Sequence, residues 1–448
     1  MTNLDFSGGY DLPIAGRPVK TVETIGVSNT MSVSAIDLHG LKPIMDKQEG
    51  EEVRAGEALF HDKNDARIKI ISPYNAVVKE IRRAERRLLI EVVLEVKDKT
   101  PNKVIEPVNL EKIKEEELVQ ALLKTGLWRL IRQLPFNIVA DPEKRPKDIY
   151  VSCIDNEPLY PDLNFVLKDR IKDLALGVQL MKKLTRGQVF LASAPSESEI
   201  PAGLREIPGA HHIHAVSRYP SGNPQLQCYW VSPLRKNDVA WHVNPQDLLA
   251  IVDTLRSGIL CEDRVITVCG TGISNRRYVK APLGSPLSTL LGKESTDGMR
   301  ILAGGVLTGR QLKADGFSGL YQHSVQVLPE GYEREFLRFM RPGSDKPSYS
   351  RVFLSSLFGG SEYAMNTSIN GEERACVQCG ACEEVCPTEI LPQFLFKAAL
   401  ANDVEAVQEL GILDCSNCGL CTYVCPSKID LDGIIKTSAN EILKEGLV

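Results

Sequence analysis

The sequence predicts a multidomain protein of mixed α/β and α+β class, and three observations carry that prediction. At 448 residues the chain is longer than one hydrophobic core organises, and about three domains are expected. Helix-period and strand-period patterns alternate through its middle, between two stretches that read as strands and glycine-bearing turns. Eight of its twelve cysteines fall between Cys376 and Cys425. The hydrophobic share of 43% and charged share of 25% suit a globular chain with a full core.

In chain order, residues 1–30 are turn-rich, with Gly8-Gly9, Pro13, Gly16 and Pro18, and read as an extended arm. Residues 31–100 read as short strands separated by turns at Gly50, Gly56, Ser72-Pro73 and Tyr74-Asn75. The run Gly50 to Leu59, followed by Ser72 to Val78, resembles the biotinyl/lipoyl carrier fold, a β barrel-sandwich. Carriers of that kind need a lysine on a hairpin tip. The nearest candidates, Lys63 and Lys69, lack the expected flanking residues, so a structural barrel without a prosthetic group is expected. Over 101–257, helices at 115–123, 170–184 and 245–257 alternate with strands at 148–154 and 188–192. The last helix sets Leu248, Leu249, Val252 and Leu255 on one face. That alternation predicts an α/β domain with a mainly parallel sheet. Residues 258–330 open with a strand over 264–268 and continue through glycine-bearing turns, a compact β-rich domain. Residues 331–369 form a connector with a turn at Arg341-Pro342-Gly343-Ser344-Asp345, and 370–448 form a helical, cysteine-bearing tail.

The tail carries the most specific signal. Cys376, Cys379, Cys382, Cys386 and Pro387 make the bacterial ferredoxin run C-x2-C-x2-C-x3-C-P, and Cys415, Cys418, Cys421, Cys425 and Pro426 repeat it 39 residues later. Gly380 and Gly419 match across the repeat, as do Ile390 and Ile429. Three thiolates two residues apart wrap one corner set of a cubane, and the glycine lets backbone approach the sulfides. In two-cluster ferredoxins the fourth cysteine ligates the other cluster. Cys376, Cys379, Cys382 and Cys425 are therefore assigned to one [4Fe–4S] cluster, and Cys415, Cys418, Cys421 and Cys386 to the other. Zinc ribbons pair C-x2-C units four thiolates per ion, a different pattern. Helices are expected over 391–411 and 434–443.

Other candidates carry less. Cys153, Cys228, Cys261 and Cys269 are scattered singly and read as buried core cysteines. Cys269-Gly270-Thr271-Gly272 opens like a nucleotide-binding motif but lacks its third glycine. His211, His212 and His214 are candidate metal ligands that equally suit an exposed strand. The net charge of −5 and the lack of a basic stripe argue against nucleic acid. No apolar run reaches the roughly 18 residues of a membrane span; the richest, Leu88 to Val96, is broken by Glu91 and Glu95. The start of the chain has no signal-peptide pattern, and a cytoplasmic protein is expected.

Over nearly its whole length the chain also resembles the A subunit of the sodium-translocating NADH:quinone reductases. The resemblance rests on Gly9 to Gly16, on Gly126-Leu127-Trp128 with Arg132-Gln133-Leu134-Pro135-Phe136, and on Asp155-Asn156-Glu157-Pro158-Leu159. It continues through Tyr219-Pro220-Ser221-Gly222-Asn223-Pro224, Gly304 to Gly309 and Arg341-Pro342-Gly343. That family is related to the C subunit of Rnf-type complexes and to the flavin subunit of complex I. The resemblance implies a carrier-like barrel, a Rossmann-like α/β domain, a β-grasp domain and a helical cluster domain. It implies a peripheral subunit on the cytoplasmic side of the cell membrane, with membrane-embedded and flavin-containing partner subunits. Sodium export would fall to the membrane partners, NADH and FMN would sit on other subunits, and quinone is a candidate ligand. Most members of the family have lost the cluster cysteines that this chain keeps, a feature shared with the Rnf C subunit. Conversely, the flavin-binding glycine loop of the Rnf and complex I relatives is replaced here by the bulky stretch beginning Gly126, Leu127, Trp128, so no flavin site is expected. The rival readings are the C subunit of an Rnf-type ferredoxin:NAD complex and a non-catalytic iron–sulfur scaffold.

Overall fold

The computed structural model describes residues 2–196, 199–332, 336–337, 340–358, 362–369 and 371–446. In the N-terminal domain a four-stranded sheet, ordered Thr30–Ser34, Leu89–Asp98, Asn75–Arg83 and Glu52–Val53, packs on a three-stranded sheet of Pro43–Met45, Ala58–Asp62 and Lys69–Ile71. Alternation places Ala76 and Val78 inward, and they join Val33, Phe60, Ile70, Val92 and Leu94 in one core. Lys63 and Lys69 are exposed at the Ala58–Asp62/Lys69–Ile71 hairpin.

The second domain is built on a seven-stranded sheet among the described residues. Its order is Thr2–Leu4, Ala210–Ala215, Val189–Ser193, Ile149–Ser152, Ala240–His242, Arg132–Leu134 and Ile138–Val139. The first five strands run parallel; Arg132–Leu134 runs against them, and Ile138–Val139 pairs antiparallel to it. The central strands are buried throughout, as a parallel sheet covered on both faces requires. Helices Glu115–Lys124, Ile171–Leu184 and Pro245–Ser257 fall where the apolar spacing predicts them. The last two pack so closely that a Cβ on Gly177 would lie 2.4 Å from Leu248. From Ile149–Ser152 the chain steps outward to Val189–Ser193 and Ala210–Ala215, then returns to Ala240–His242 on the other side. That reversal opens a crevice beyond the carboxyl ends of the two strands it separates.

A six-stranded sheet follows, ordered Arg310–Leu312, Met299–Ala303, Ser324–Pro329, Asp263–Cys269, Arg277–Pro282 and Val19–Thr24. The short helix Leu287–Leu291 covers one face through Leu287, Leu290 and Leu291.

Three sequence expectations change. The 1–30 arm is not separate: Thr2–Leu4 extends the seven-stranded sheet and Val19–Thr24 edges the six-stranded one. Strands this short gain their hydrogen bonds only from partners some 200 residues away, so no local pattern marks them. The helix expected over 391–411 divides into Pro392–Leu400 and Val404–Glu409, because Asn402 turns left-handed (φ 53°) and the Asp403 carboxylate caps the second segment at the Ala406 amide. The terminal helix starts earlier, Leu431–Glu445, with the Asp430 carboxylate accepting from the Gly433 amide. Cys153, Cys228 and Cys269 are buried as expected, whereas Cys261 is half-buried.

Candidate metal centre

The tail draws the same backbone figure twice. Gln378 and Asn417 are left-handed (φ 53° and 52°), as are Gly380 and Gly419 (78° and 75°) and Glu389 and Lys428 (55° and 59°). Each left-handed glycine starts a one-turn helix, Ala381–Glu384 or Leu420–Val424, that carries the third cysteine of its motif. The glycine pair is visible in the sequence. The other two pairs are not, because side-chain-bearing residues rarely take this conformation.

Cys376, Cys379, Cys382 and Cys425 border one small cavity, closed by Gln393, Phe396, Ile429 and Leu431. The fourth cysteine comes from the second motif, the crossing that the spacing suggests. Reciprocally, Cys415, Cys418 and Cys421 each lie within electrostatic reach of Cys386. Cys386 and Cys415 share an apolar cluster with Leu395 and Ile435. Burial pushes the Cys382 thiol up to about 11 and the Cys418 thiol up to about 12, and it raises Cys415 and Cys421 as well. Such sulfurs keep their protons at neutral pH until a metal centre displaces them. Among the described residues no three His, Cys, Asp or Glu side chains converge as a single-ion site. The thiols instead surround a space, the arrangement a polynuclear cluster needs, and an all-cysteine donor set in apolar surroundings fits [4Fe–4S] chemistry.

The two sets have different surroundings. The first is held mainly by its own tail: the Arg374 amide donates to the Ser427 carbonyl and the Ser427 hydroxyl to the Ala375 carbonyl, both at 2.9 Å. Cys379 is exposed, and Val377 keeps 67% of its surface in solvent. The second set is seated against the α/β domain. Tyr219 Oη donates to the Cys418 carbonyl (2.8 Å), Asn223 Nδ2 to the Ser416 carbonyl (2.8 Å) and Gln225 Nε2 to the Leu413 carbonyl (2.7 Å). Trp230 Nε1 donates to the Pro387 carbonyl (2.9 Å), and the Gly9 amide to the Val385 carbonyl (2.9 Å). Contact is tight enough that a Cβ on Gly8 would lie 2.4 Å from the Cys386 carbonyl oxygen.

Beside this second set lies a cavity of about 560 Å³, a size suited to a small-molecule ligand. It occupies the crevice at the strand reversal: Ser152, Asp155 and Glu157 line it from one strand's carboxyl end, His242 and Asn244 from the other's. Ser416, Asn417 and Lys436 close it on the cluster side. Burial, then repulsion from Glu157, pushes the Asp155 carboxyl up to about 8; burial pushes Glu157 up to about 7. Burial and the nearby Arg132 hold His242 well below the ordinary histidine range, so its ring is neutral. Arg132 stacks 4.4 Å from the Tyr321 ring centre. Sequence reasoning does not single out the acidic pair and His242 as site residues. The signal for them is the predicted strand over 148–154: groups just past a parallel strand's carboxyl end line such crevices.

The stretch where the related families carry a flavin glycine loop is core here. Leu127 and Trp128 are buried, Trp128 Nε1 donates to the Ala140 carbonyl (2.8 Å), and Arg129 reaches the Gly126 carbonyl and Glu262. Only its continuation, Arg132, Leu134 and Pro135, reaches the cavity. The remaining candidates are not brought to this site. His211, His212 and His214 lie on the strand Ala210–Ala215, where Thr2 Oγ1 pairs with His211 Nε2 (2.9 Å). Gly270 follows the strand Asp263–Cys269 with φ 107°, where a Cβ would meet the Val327 carbonyl at 2.2 Å; the glycine serves close packing.

Four family models match in the order of the domains above. They are an NqrA N-terminal barrel-sandwich hybrid domain (residues 4–97), an NqrA second alpha/beta domain (113–260), an NQRA C-terminal domain (265–314) and a 4Fe-4S dicluster domain (375–430). A protein of Saccharophagus degradans, named as the A subunit of a Na(+)-translocating NADH-quinone reductase, is 33% identical across 98% of this chain and 99% of its own length. The chain belongs to the NqrA family. Other relatives of the same name, from Marinomonas sp. and Pseudomonas aeruginosa, are 34% identical over 91% of both chains. A NAD+-reducing [NiFe]-hydrogenase overlaps 52% of each chain at 13% identity and a TM-score of 0.35, too slight a likeness to carry an argument. This NqrA family member thus joins a barrel-sandwich N-terminal domain and α/β units to a C-terminal 4Fe-4S ferredoxin-type domain. Among its described residues no helix is long and apolar enough to cross a membrane.

Proposed function

We propose that this chain is a peripheral, cytoplasm-facing component of a Na+-translocating NADH:quinone oxidoreductase that relays electrons through two [4Fe–4S] clusters. The observation that carries the reading is the crossed ring of Cys376, Cys379, Cys382 and Cys425 around one cavity, which joins cysteines from both halves of the repeat. These four would hold one cluster, and Cys386, Cys415, Cys418 and Cys421 the other. When bound, the clusters supply one-electron exchange without proton uptake.

The chain's own groups set the conditions for that exchange. Around the second set, the Tyr219, Asn223 and Gln225 side chains tie down the Cys418, Ser416 and Leu413 carbonyls, so the loop need not reorganise when its charge changes. Lys436 borders the cavity and pairs with Asp432 at 2.6 Å, and the Asp432 carboxylate in turn acts on Cys415, Cys418 and Cys421, so a neutral ion pair stands between this set and the cavity. We place a quinone in the 560 Å³ cavity. Its reduction takes up protons, and Asp155 and Glu157 can hold protons on their carboxyl oxygens near neutral pH. NADH and FMN are assigned to partner subunits, and sodium movement to membrane-embedded ones. The parallel sheet with its crevice supports a Rossmann-like reading of the second domain, and the helix laid on the six-stranded sheet supports a β-grasp reading of the third.

Anaerobic purification with iron and sulfide analysis, and electron paramagnetic resonance before and after dithionite, tests the proposal. About eight irons per chain with interacting signals on reduction are expected. Zinc, or no metal, would overturn the relay.

A further inference from the structure

Arg132, Arg310 and Lys436 border the cavity beside the second set, and two of the three are matched by carboxylates. Arg310 lies 3.4 Å from the Asp37 carboxylate, and Lys436 pairs with Asp432 at 2.6 Å. Arg132 has no carboxylate at ion-pair distance among the described residues. Its guanidinium lies over the Tyr321 ring instead, and the Tyr321 hydroxyl is anchored on the Arg129 carbonyl. Asp37 acts on Arg132 through space, but its carboxylate is taken up by Arg310, the Leu320 amide (2.8 Å) and Gln322 Nε2 (3.1 Å). Arg264, the next cation behind this wall, pairs with Asp247. His39, His242 and His323 are held below the ordinary histidine range, first by burial, and carry no charge at neutral pH. Asp155 keeps its proton there and Glu157 is about half-charged. Burial also disfavours the charge on Arg132. An anion entering beside it restores what burial costs, whereas a neutral ligand restores little.

We propose that Arg132 retains a quinone after its first electron, holding the anionic oxygen in place until the second electron arrives. The inference rests on the relay reading and on the quinone placement, and adds to them the group that bridges two one-electron steps. A cluster passes one electron at a time, whereas a quinone takes two. The first step moves one electron from the centre held by Cys386, Cys415, Cys418 and Cys421 to the quinone. That centre is oxidised, and the quinone becomes a radical anion with no proton taken up. The second electron comes with two protons, one to each quinone oxygen, and gives the neutral quinol. Asp155 and Glu157 line the same cavity and are placed to donate them. Quinone and quinol are both neutral, so the guanidinium favours the charged intermediate over either end. His242 does not compete for the oxygen. Its neutral ring donates from Nε2 to Asn137 Oδ1 (2.7 Å), which leaves Nδ1 without a proton to give.

The test uses the full chain with its iron complement verified beforehand and a short-chain ubiquinone as the probe. Calorimetric titration gives the affinity for the oxidised quinone. Stepwise anaerobic reduction with dithionite, followed by paramagnetic resonance at room temperature, where fast relaxation hides reduced clusters, gives the radical. The parent is expected to hold about tenfold or more radical than free quinone at the same pH and potential. R132Q is expected to lose about tenfold of that radical while its affinity for oxidised quinone stays within about threefold. R132K, which keeps the charge, is expected to retain most of the radical. Normal quinone affinity with radical at the free-quinone level overturns the role of Arg132 and leaves the quinone placement standing. A parent-level radical in R132Q does the same. If R132Q loses its iron, the parent's own radical level and R132K decide. Failure of the iron-loaded parent to bind quinone overturns the placement and this inference with it, and absence of iron overturns the relay reading first.

Discussion

The loop at 376–390 and the loop at 415–429 are two copies of one structure in two environments. Their left-handed residues match pair by pair, and each contributes three cysteines to one set and a fourth to the other. Around them almost nothing matches. Gly380 has no heavy atom within 4 Å of where its Cβ would be, whereas a Cβ on Gly419 would lie 2.6 Å from the Leu307 carbonyl oxygen. One loop meets water; the other is tied by hydrogen bonds from Tyr219 and Asn223 of the α/β domain. Duplication therefore sets the local geometry of a cluster site, while tertiary surroundings set its exposure, and with exposure the properties on which a potential depends.

The largest expected effect breaks the pairing itself. Cys425→Ser should remove the cluster of the first motif, although the residue lies in the second, and cut iron from about eight to about four per chain. Cys386→Ser should remove the other centre. Paramagnetic resonance of the two variants must show opposite survivors; loss of the same centre from both would refute the crossed ligand sets. A smaller effect sharpens the contrast of surroundings. Gly380→Ala costs only its left-handed backbone, about 1 kcal/mol. Gly419→Ala adds the collision with Leu307 and should cost about 2–4 kcal/mol. Hydrogen exchange of the amides over 415–425 reads the difference, and equal protection in the two variants would show that the second loop is not clamped.

The smallest effect belongs to the cavity beside the second loop. Asp155 titrates near 8 in the folded chain, against an ordinary value of 3.8. Between those values the folded state binds the proton that the unfolded state has lost, so the group's contribution to stability declines as pH rises from about 4 to about 8. Asp155→Asn, which can still accept from the Glu157 amide, should raise the thermal midpoint by about 2–4 °C at pH 9 and leave it unchanged at pH 4. A rise of the same size at both pH values would show that ionisation is not the cause.

How much of this can be read from the sequence follows from the range of the interactions. The cysteine motifs are legible, because the first three cysteines of each lie within seven residues, and the repeat suggests the crossing by which Cys425 reaches the cavity of Cys376, Cys379 and Cys382. Helices such as Ile171–Leu184 and Pro245–Ser257 announce themselves through apolar spacing. Asp155, Glu157 and His242 do not stand out as a site. They become one only when two strands some 90 residues apart align, and the burial that raises the acids and neutralises the histidine is a property of that alignment. The segment Tyr219 to Pro224 is marked only through a family resemblance, and Gln225 beside it not at all. Its work, hydrogen bonding to backbone carbonyls near Cys418 and Cys415, leaves no periodic trace.

The placement of Thr2–Leu4 and Val19–Thr24 has a bearing on how the molecule is made. Thr2 aligns with Ile213 and Val19 with Arg277, and between these strands Gly9 bonds to the Val385 carbonyl. Residues 2–24 are thus made before any of the strands they pair with, and find their places only after those strands exist. Their pairing waits for the second domain, the third and the Val385 segment to be synthesised. Closure of these long loops ties three units together late and in one step, giving the chain a fold of high contact order whose assembly is slow.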